Sequence, residues 1–306
     1  MNSPGIKPIV CVGAAIVDLN FRCIAEPILH TSNPATLERS PGGVVRNIAH
    51  HLALLGLPVE LVTVLGKDVD GEWLSKQCIE ANISLSHSLR TDMATGTFVA
   101  ITTPLGELEI GAVATHTEQF LTIEFLNSKL QLLQNASIVI ADCNLSTDTL
   151  LWLVHTCEQF NIPLIVETVS VSKALKLKKA LPAKLLLVKP NLDEFSVICN
   201  NNDSTLEEKI TQLHNQGIEN IWLSKGAEGS VFSDGISLTK IAAPKVQILD
   251  VSGAGDAAVA GWVFAWLNGK DLLTCVKYGN AAAACLLEVN GAVRNDLTHD
   301  LLLKYL

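Results

Sequence analysis

The sequence predicts an α/β fold in which helices cover both faces of a mostly parallel sheet, giving three layers, α/β/α. Apolar residues make up 48% of the 306 residues and charged residues 17%, which indicates a large buried core and excludes a disordered chain. Only 5% of residues are aromatic, whereas Ala, Leu and Val are frequent, as in parallel strands buried on both faces. Strand-like and helix-like segments also alternate along the chain, which is the pattern of βαβ units.

The predicted strands are short apolar runs bounded by polar or turn residues. In chain order they are Ile9–Val17, Val59–Val64, Ile138–Ala141, Leu164–Val166, Leu185–Val188 and Ile221–Leu223. The predicted helices lie between them. They are Val45–Leu55, Gly71–Ala81, Thr122–Leu133, Thr147–Gln159, Leu192–Ile198 and Leu206–Gln216. The 3.6-residue period is clear in Leu206, Ile210 and Leu213.

Two stretches interrupt this alternation, residues 21–40 and 95–117. The first contains prolines and few helix signals, and the second is predicted to be a β-hairpin because Thr97–Thr103 and Leu108–Ala114 flank a short turn. We expect both stretches to form a small β lid within a single domain spanning residues 1–306. A homodimer through lid-to-lid strand pairing is one assembly that this arrangement allows.

Charge and cysteine content exclude several classes of function. The chain has 22 basic and 31 acidic residues, a formal net charge of −9, which argues against binding to nucleic acid or to an anionic membrane surface. No apolar run approaches the roughly 20 residues that a membrane-spanning helix requires. The eight cysteines form no CxxC pair and several lie in apolar runs, which indicates buried thiols in a reducing compartment. We therefore expect a cytoplasmic protein.

The segment Gly253-Ala254-Gly255-Asp256 carries the strongest functional signal. It lies between a strand-like run, Lys245–Ser252, and an apolar helix that continues to Leu267. Glycines permit a tight turn close to a ligand, and free N–H groups at a helix N-terminus favour an anion such as phosphate. A carboxylate beside such a site suggests a base for phosphoryl transfer, and at a helix N-terminus we expect Asp256 to stay ionised. The alternative is an ordinary helix start at which Ser252 and Asp256 act as caps.

A second glycine-rich helix start lies near the other end of the chain. Gly42 and Gly43 precede a helix whose first turn carries Asn47, an amide that can both donate and accept hydrogen bonds. On its own this segment could be a simple loop-to-helix junction. Two such helix starts in one chain favour a binding role for both.

These two segments resemble the signature motifs of the ribokinase-like (PfkB-type) family of carbohydrate and nucleoside kinases. Three further segments are similar to that family and occur in the same order, and they are Gly13–Asp18, Lys189–Glu194 and Ser224–Gly229. The five segments together span essentially the whole chain. The resemblance implies a ribokinase-like fold, ATP and Mg²⁺ as phosphoryl donor and metal, and a small-molecule acceptor. Activation by a monovalent cation such as K⁺ is a trait of the family that this sequence leaves open.

The resemblance also implies roles for individual residues. Asp256 would be the base for the acceptor 5′-hydroxyl, and Gly253, Ala254 and Gly255 would form the anion hole. The ribose and sugar edge would be held by Asp18, Gly42, Gly43 and Asn47. The nucleotide would be held by Lys189, Asn191, Glu194, Ser224, Gly226, Gly229 and Asn280, with Glu194 binding Mg²⁺ through water. Two alternatives stay open: Asp18 as a strand-end cap, and Asn191 with Glu194 as a capping box.

Within the family, the segments around Arg46, Asp142 and Lys173 are most similar to those of pseudouridine kinases. This resemblance implies pseudouridine as acceptor and makes Thr95 and Lys173 candidates for the nucleobase side, with Asp142 as a further one. Pseudouridine exposes an extra N–H relative to uridine, so its recognition requires an acceptor, which a lysine cannot supply.

The chain also departs from those enzymes in ways that leave the substrate open. Glu167-Thr168 stands where they carry Asp-Pro, and His116 lies in the lid stretch. The alternatives are a kinase for ribose, fructose or adenosine, and a non-catalytic nucleoside-binding protein.

Overall fold

The computed structural model of the protein describes residues 7–199 and 204–306. Its strands, in chain order, are β1 (Ile9–Val12), β2 (Ile16–Cys23), β3 (Ala35–Gly42), β4 (Val59–Val62), β5 (Val64–Gly66), β6 (Ile83–Ser84), β7 (Leu89–Thr91), β8 (Thr97–Thr102), β9 (Leu108–Ala114), β10 (Ile138–Asp142), β11 (Leu164–Glu167), β12 (Ile221–Ser224), β13 (Ser230–Ser233) and β14 (Leu238–Ile241). Its α-helices are α1 (Val44–Leu54), α2 (Val69–Glu80), α3 (Thr117–Phe120), α4 (Ile123–Asn127), α5 (Leu130–Gln134), α6 (Thr147–Gln159), α7 (Val171–Ala180), α8 (Leu192–Ile198), α9 (Leu206–Asn215), α10 (Ala254–Leu267), α11 (Leu272–Leu287) and α12 (His299–Leu303).

The central sheet is parallel over most of its width. Its strands follow the order β11-β10-β1-β4-β6, and every neighbouring pair is parallel. Beyond β11 the sheet continues through residues 185–188, where Leu187 pairs with Ile165 and Val188 with Ile221 of β12, again in parallel. The antiparallel strands β13 and β14 complete this edge. The predicted mostly parallel sheet is therefore confirmed.

Side chains of the central strands alternate between two cores, one on each face of the sheet. Ile9 and Cys11 of β1 pack into the core formed with α1, α10 and α11. Val10 and Val12 point the other way, into the core formed with α6, α7, α8 and α9. Both faces are apolar because both are covered by helices. The three-layer arrangement expected from the sequence is confirmed.

A second, smaller sheet lies outside these layers, with the strand order β3-β2-β8-β9. We call it the outer sheet. Strands β8 and β9 form the antiparallel hairpin that the sequence predicts, and β2 pairs with β8 in parallel and with β3 in antiparallel. Strand β9 forms one edge, and every residue of this strand is exposed. Whether the outer sheet acts as a lid stays a prediction.

The single strand predicted over Ile9–Val17 is in fact two strands in two different sheets. The chain leaves the central sheet after β1 and enters the outer sheet as β2. Between them Ala14 N donates to Asp142 Oδ2 at 3.3 Å and Ala15 N donates to Thr63 Oγ1 at 3.0 Å. Side chains thus satisfy backbone groups that have no strand partner at the crossing.

Other differences from the predicted elements have local causes. The strand-like run Lys245–Ser252 forms no strand and pairs with no strand of the described residues; its backbone is held by single bonds such as Leu249 N to Leu287 O at 2.8 Å. The helix predicted over Thr122–Leu133 is two short helices, α4 and α5. None of the helices within the described residues is both long enough and apolar enough to cross a membrane.

Candidate active site

Asp256 lies in the first turn of α10, one of the most deeply buried helices of the fold. The N-cap of α10 is Gly253, with φ +71°, and a Cβ atom at this position would lie 2.4 Å from the carbonyl oxygen of Ala292. The turn therefore requires glycine, for conformation and for space. Helix α10 packs between α1 and α11, so its first turn is fixed within the protein and Asp256 is only 9% exposed.

The two glycine-rich helix starts meet at Asp256. Asn47, in the first turn of α1, donates a hydrogen bond from Nδ2 to Asp256 Oδ2 at 2.7 Å, across 209 positions of sequence. The other oxygen of Asp256, Oδ1, accepts no hydrogen bond from the residues that the structure describes. One oxygen of this carboxylate is thus held and the other is available to a ligand.

The environment of Asp256 changes its acidity. Burial raises the pKa of this carboxyl from 3.8 to about 7, while the hydrogen bond from Asn47 and the charges of Lys189 and Arg46 act in the opposite direction. Desolvation thus opposes the effect of the helix N-terminus, which was expected to keep Asp256 ionised. A pKa near neutrality suits a group that accepts a proton during turnover.

A cavity of about 540 Å³ opens from Asp256, a volume typical of small-molecule sites. Its lining includes Ala254 and Gly255, which are predicted to belong to the anion hole, and apolar residues such as Trp222 and Leu287. It also includes every residue that the family resemblance assigns to the nucleotide, and these are Lys189, Asn191, Glu194, Ser224, Gly226, Gly229 and Asn280. The structure thus brings this predicted set together in one cavity.

Glu194 has the capping role that the sequence offered, and its carboxylate also faces the cavity. Its Oε2 accepts hydrogen bonds from Asn191 N at 3.0 Å and from Thr168 Oγ1 at 2.8 Å. Asn191 Oδ1 in turn accepts from Glu194 N at 2.9 Å, so the predicted capping box is present. The carboxylate nevertheless lines the cavity, and its second oxygen takes no part in the cap.

Glu167 is a second carboxyl group in the cavity wall, at the end of β11. It is only 8% exposed, and Oε1 has no hydrogen-bond partner among the described residues. Burial raises the pKa of this carboxyl to about 8; the charge of Lys189 opposes the rise, and Asp256 and Glu194 add to it. A buried oxygen without a donor is costly and fits a site that a cation or a ligand donor completes.

Asp18 and the glycine pair Gly42-Gly43 lie next to the start of α1 and outside the cavity lining. A Cβ atom at Gly42 would lie 2.2 Å from Asp18 Oδ1, so the carboxylate rests directly against the glycine backbone. Burial raises the pKa of Asp18 to about 6, against the opposing charge of Arg46. Its side chain makes no hydrogen bond within the described part of the chain, which does not fit the strand-end cap considered above. Gly43, with φ +102°, forms the N-cap of α1.

Comparison with known proteins places the chain in a family. Residues 7–299 match the model of the pfkB family of carbohydrate kinases. The chain belongs to this family. Among curated relatives, this pfkB-family protein is 32% identical to the uncharacterized sugar kinase YeiI of Escherichia coli, over 93% of this chain and 80% of that protein. It is 27% identical to the pseudouridine kinase of Escherichia coli, over 95% and 93%.

Solved structures of a carbohydrate kinase and of a ribokinase have the same fold. A carbohydrate kinase from Agrobacterium tumefaciens is 26% identical, with a TM-score of 0.84 and coverage of 98% and 97% of the two chains. The ribokinase of Arabidopsis thaliana, solved with ribose and ATP, is 20% identical, with a TM-score of 0.83 and coverage of 98% and 99%. The ribokinase-like fold expected from the sequence motifs is confirmed.

The two nucleobase candidates of this pfkB-family protein lie outside the cavity lining. Thr95 Oγ1 donates to Asp68 Oδ1 at 2.6 Å and accepts from Gly66 N at 3.0 Å, so this hydroxyl holds the start of α2. Lys173 Nζ donates to Asn144 Oδ1. Asp142 is fully buried, and its oxygens accept from backbone N–H groups, including that of Ala14. These groups are engaged within the protein, and their roles toward a substrate stay predictions.

Two features of the pfkB-family site were not assigned a role from the sequence. Glu167 was noted only as a departure from related sequences, because an acid at a strand end gives no sign that one oxygen is left without a partner. Arg46 was noted only as a point of resemblance, and it proves to be buried, with the charges of Asp18 and Asp256 acting on it. The one feature of the sequence that could have indicated the burial of Arg46 is a basic residue at a helix start next to apolar residues.

Proposed function

We propose that this protein transfers the γ-phosphoryl group of ATP to the 5′-hydroxyl of pseudouridine, giving pseudouridine 5′-phosphate and ADP. The observation that carries the proposal is the position of Asp256 between two sites. On one side is the cavity with the predicted nucleotide residues, and on the other are Asp18, Gly42 and Asn47. The free Oδ1 of Asp256 is the group that an acceptor hydroxyl between the two sites would meet.

Each side supplies a different part of the chemistry. The Asp18 carboxylate can accept two hydrogen bonds from adjacent ribose hydroxyls, which would orient the sugar. Asp256 would then position the 5′-hydroxyl in line with the phosphate and accept its proton. The N–H groups of Gly253 and Gly255, at the start of α10, would stabilise the negative charge on the transferring group, whereas Ala254 N donates to Val251 O at 3.3 Å. Positioning and electrostatics together account for most of the catalysis expected in phosphoryl transfer.

The residues present also fit a magnesium ion. Glu194 keeps one carboxyl oxygen outside its capping box, and the buried Oε1 of Glu167 has no other partner within the described part of the chain. One or two carboxylates with retained water is the ligand set that Mg²⁺ prefers. Glu194 would hold the ion through water, with Glu167 beside it. When bound, Mg²⁺ neutralises charge on the donor phosphates.

We also propose that the outer sheet acts as a lid that excludes water from the acceptor. A kinase gains from such a lid because water competes with the acceptor hydroxyl. The sheet carries Asp18 on β2 and ends at Gly42 on β3, so it contributes directly to the acceptor side. The exposed β9 edge, with Leu108, Ile110 and Val113, favours pairing with a second copy. Sedimentation over a range of dilutions tests this, and a monomer at every concentration would remove the dimer.

Pseudouridine is preferred as the acceptor because the segments around Arg46 and Lys173 resemble those of pseudouridine kinases. The match to the pseudouridine kinase of Escherichia coli, nearly full-length in both chains, supports this choice. A second candidate is a kinase for another sugar or nucleoside. The higher identity to an uncharacterized sugar kinase favours it.

The test is a panel of acceptors at fixed MgATP, with and without K⁺. Initial rates of ADP formation are measured with pseudouridine, uridine, adenosine, ribose and fructose, for wild type and for Asp256→Asn. The matched control is Asp148→Asn, which changes an exposed aspartate in the first turn of α6. We expect pseudouridine to give the highest kcat/KM, Asp256→Asn to lose at least about a thousandfold in kcat, and the control to keep wild-type rates.

Other outcomes decide between the candidates. A different leading acceptor would retain the mechanism and replace the substrate. Binding of a nucleoside without ATP turnover would favour a non-catalytic protein. Near-normal turnover of Asp256→Asn would contradict the role of Asp256 as the base.

A further inference from the structure

Arg46 is a buried cation whose hydrogen-bond partners are all neutral. Its side chain lies in α1 and is only 2% exposed. Nη2 donates to the carbonyl oxygen of Pro41 and to Asn47 Oδ1, Nε donates to the carbonyl oxygen of Gly42 at 3.3 Å, and Nη1 lies 3.2 Å from His50 Nδ1. Within the described residues the guanidinium forms no ion pair with a carboxylate.

These bonds determine which way the Asn47 amide faces. An asparagine side chain has one acceptor oxygen and one donor nitrogen, and the two ends can exchange by rotation. The Arg46 guanidinium can only donate, so it binds the oxygen end. The nitrogen end then points to Asp256, where Nδ2 donates to Oδ2 at 2.7 Å. With Oδ2 occupied, Oδ1 is the oxygen left for an acceptor hydroxyl.

A purely structural role explains Arg46 poorly. Burying a charged group with only neutral partners carries a large desolvation cost, and apolar residues usually fill such positions at least as well. The carboxylates whose charges act on Arg46 through space are Asp18, on the outer sheet, and Asp256, on α10. The positive charge of Arg46 thus acts on both carboxylates of the acceptor side.

We propose that Arg46 is a positioning residue that acts through Asn47 to hold the Asp256 carboxylate in the orientation needed for proton transfer. The proposal rests on the function proposed above and extends it, since Arg46 is only 2% exposed and does not line the cavity. Without Arg46, the Asn47 amide would be free to turn its oxygen toward Asp256. That orientation would repel the ionised carboxylate and release Oδ2.

The loss should depend on pH. Asp256 is faced by the Asn47 amide and the Arg46 charge from α1 and by Lys189 near the cavity wall, which favour its ionised form. Asp142 opposes ionisation, and Glu167 interacts with Asp256 as a like charge. Removing Arg46 shifts this balance toward the protonated form. At high pH, the ionised carboxylate itself attracts the donor end of Asn47, so the defect should shrink.

The kinetic test compares Arg46→Met and Arg46→Lys with the control Asp148→Asn, which changes an exposed residue of α6 that has no contact with the guanidinium. For Arg46→Met we expect kcat to fall about tenfold at pH 6 and to recover to within about twofold at pH 9, with KM for ATP unchanged. Arg46→Lys keeps a charged donor and should recover part of the loss. The control should follow the wild-type profile. A loss of equal size at every pH would indicate general structural damage and would overturn the proposal.

A double-mutant cycle tests whether Arg46 acts through Asn47. In an Asn47→Ala background, Arg46→Met should reduce kcat by no more than about twofold further, because the group that it orients is absent. Full additivity of the two losses would contradict action through Asn47.

A readout independent of turnover separates this proposal from the proposed function. Carboxyl ¹³C NMR with aspartate labelling, assigned by difference from Asp256→Asn, follows the titration of Asp256 directly. Arg46→Met should move its midpoint to higher pH than in wild type. If wild type phosphorylates nothing in the panel, the proposed function fails while this measurement still decides the role of Arg46. An unmoved midpoint would refute that role.

Discussion

Replacement of Asp256 by asparagine should make the protein more stable while removing its turnover. The substitution keeps the shape of the side chain, and its amide oxygen can still accept from Asn47 Nδ2. It removes a carboxyl group whose pKa rises from 3.8 to about 7 on burial in the folded protein. A shift of one unit corresponds to about 1.4 kcal/mol, so ionisation of this buried group costs on the order of 4 kcal/mol of folding free energy near pH 7.

The sign of this effect fixes its pH dependence. Below pH 3.8 both the folded and the unfolded states bind the proton, and the carboxyl group causes no loss of stability. Between pH 3.8 and about 7 the unfolded chain ionises while the folded protein retains the proton, so stability falls as the pH rises. Above that range both states are ionised and the loss is constant. Asp256→Asn should abolish this component of the profile.

The assay is urea denaturation of wild type and Asp256→Asn from pH 4 to pH 8, with Asp148→Asn as the control for a first-turn aspartate. We expect the unfolding midpoints of wild type and Asp256→Asn to be close at pH 4 and to separate progressively, with the variant more stable by a few kcal/mol at pH 8. A midpoint for Asp256→Asn at or below that of wild type at pH 8 would refute the reasoning. A difference that is the same at every pH would do so as well.

Three further predictions concern the walls of the site. In Gly42→Ala, the added Cβ would lie 2.2 Å from Asp18 Oδ1 and displace that carboxylate. KM for the acceptor should therefore rise at least about tenfold while KM for ATP stays the same. Steady-state kinetics with an unchanged acceptor KM would contradict this. In Glu167→Gln, the loss of a carboxylate oxygen should weaken metal binding about tenfold. Mn²⁺ titration followed by electron paramagnetic resonance measures this affinity. An unchanged Mn²⁺ affinity would show that Glu167 does not bind the metal. Lys189→Met removes a positive charge from the cavity wall, so the affinity for an ATP analogue should fall about tenfold at pH 7. The same charge opposes the raised pKa of Glu167, so this pKa should rise further in the variant. Calorimetry showing wild-type affinity would argue against a phosphate role for Lys189.

Sequence patterns predicted the layers and most elements of the fold, because local periodicity determines them. The helix at Thr147–Gln159 agrees at both ends, and the parallel strand starting at Ile138 agrees within one residue. The break after Val12 was not predictable, because the bonds that cause it come from Asp142 and Thr63, far away in sequence. Because residues 9–17 are apolar without a break, nothing in the sequence indicates that the chain passes from the central sheet to the outer sheet within this run.

The site shows the same division between local and long-range information. The turn at Gly253 was predictable because two nearby glycines before an apolar run indicate a tight turn followed by a helix. The bond from Asn47 to Asp256 joins residues 209 positions apart and has no local signature; only the order of family motifs suggested that they meet. The raised pKa of Asp256 depends on how deeply α10 is buried, which no motif encodes.

The junction between the outer sheet and α1 has a mechanical consequence. Strand β3 ends at Gly42 and α1 begins at Val44, so Gly43 alone separates the two elements. A connection of one residue cannot absorb a relative movement of the two elements. A tilt of the outer sheet would therefore also move the N-terminal end of α1, which carries the Asn47 amide bonded to Asp256. Movement of the outer sheet would thereby be coupled to the Asp256 carboxylate, the proposed proton acceptor.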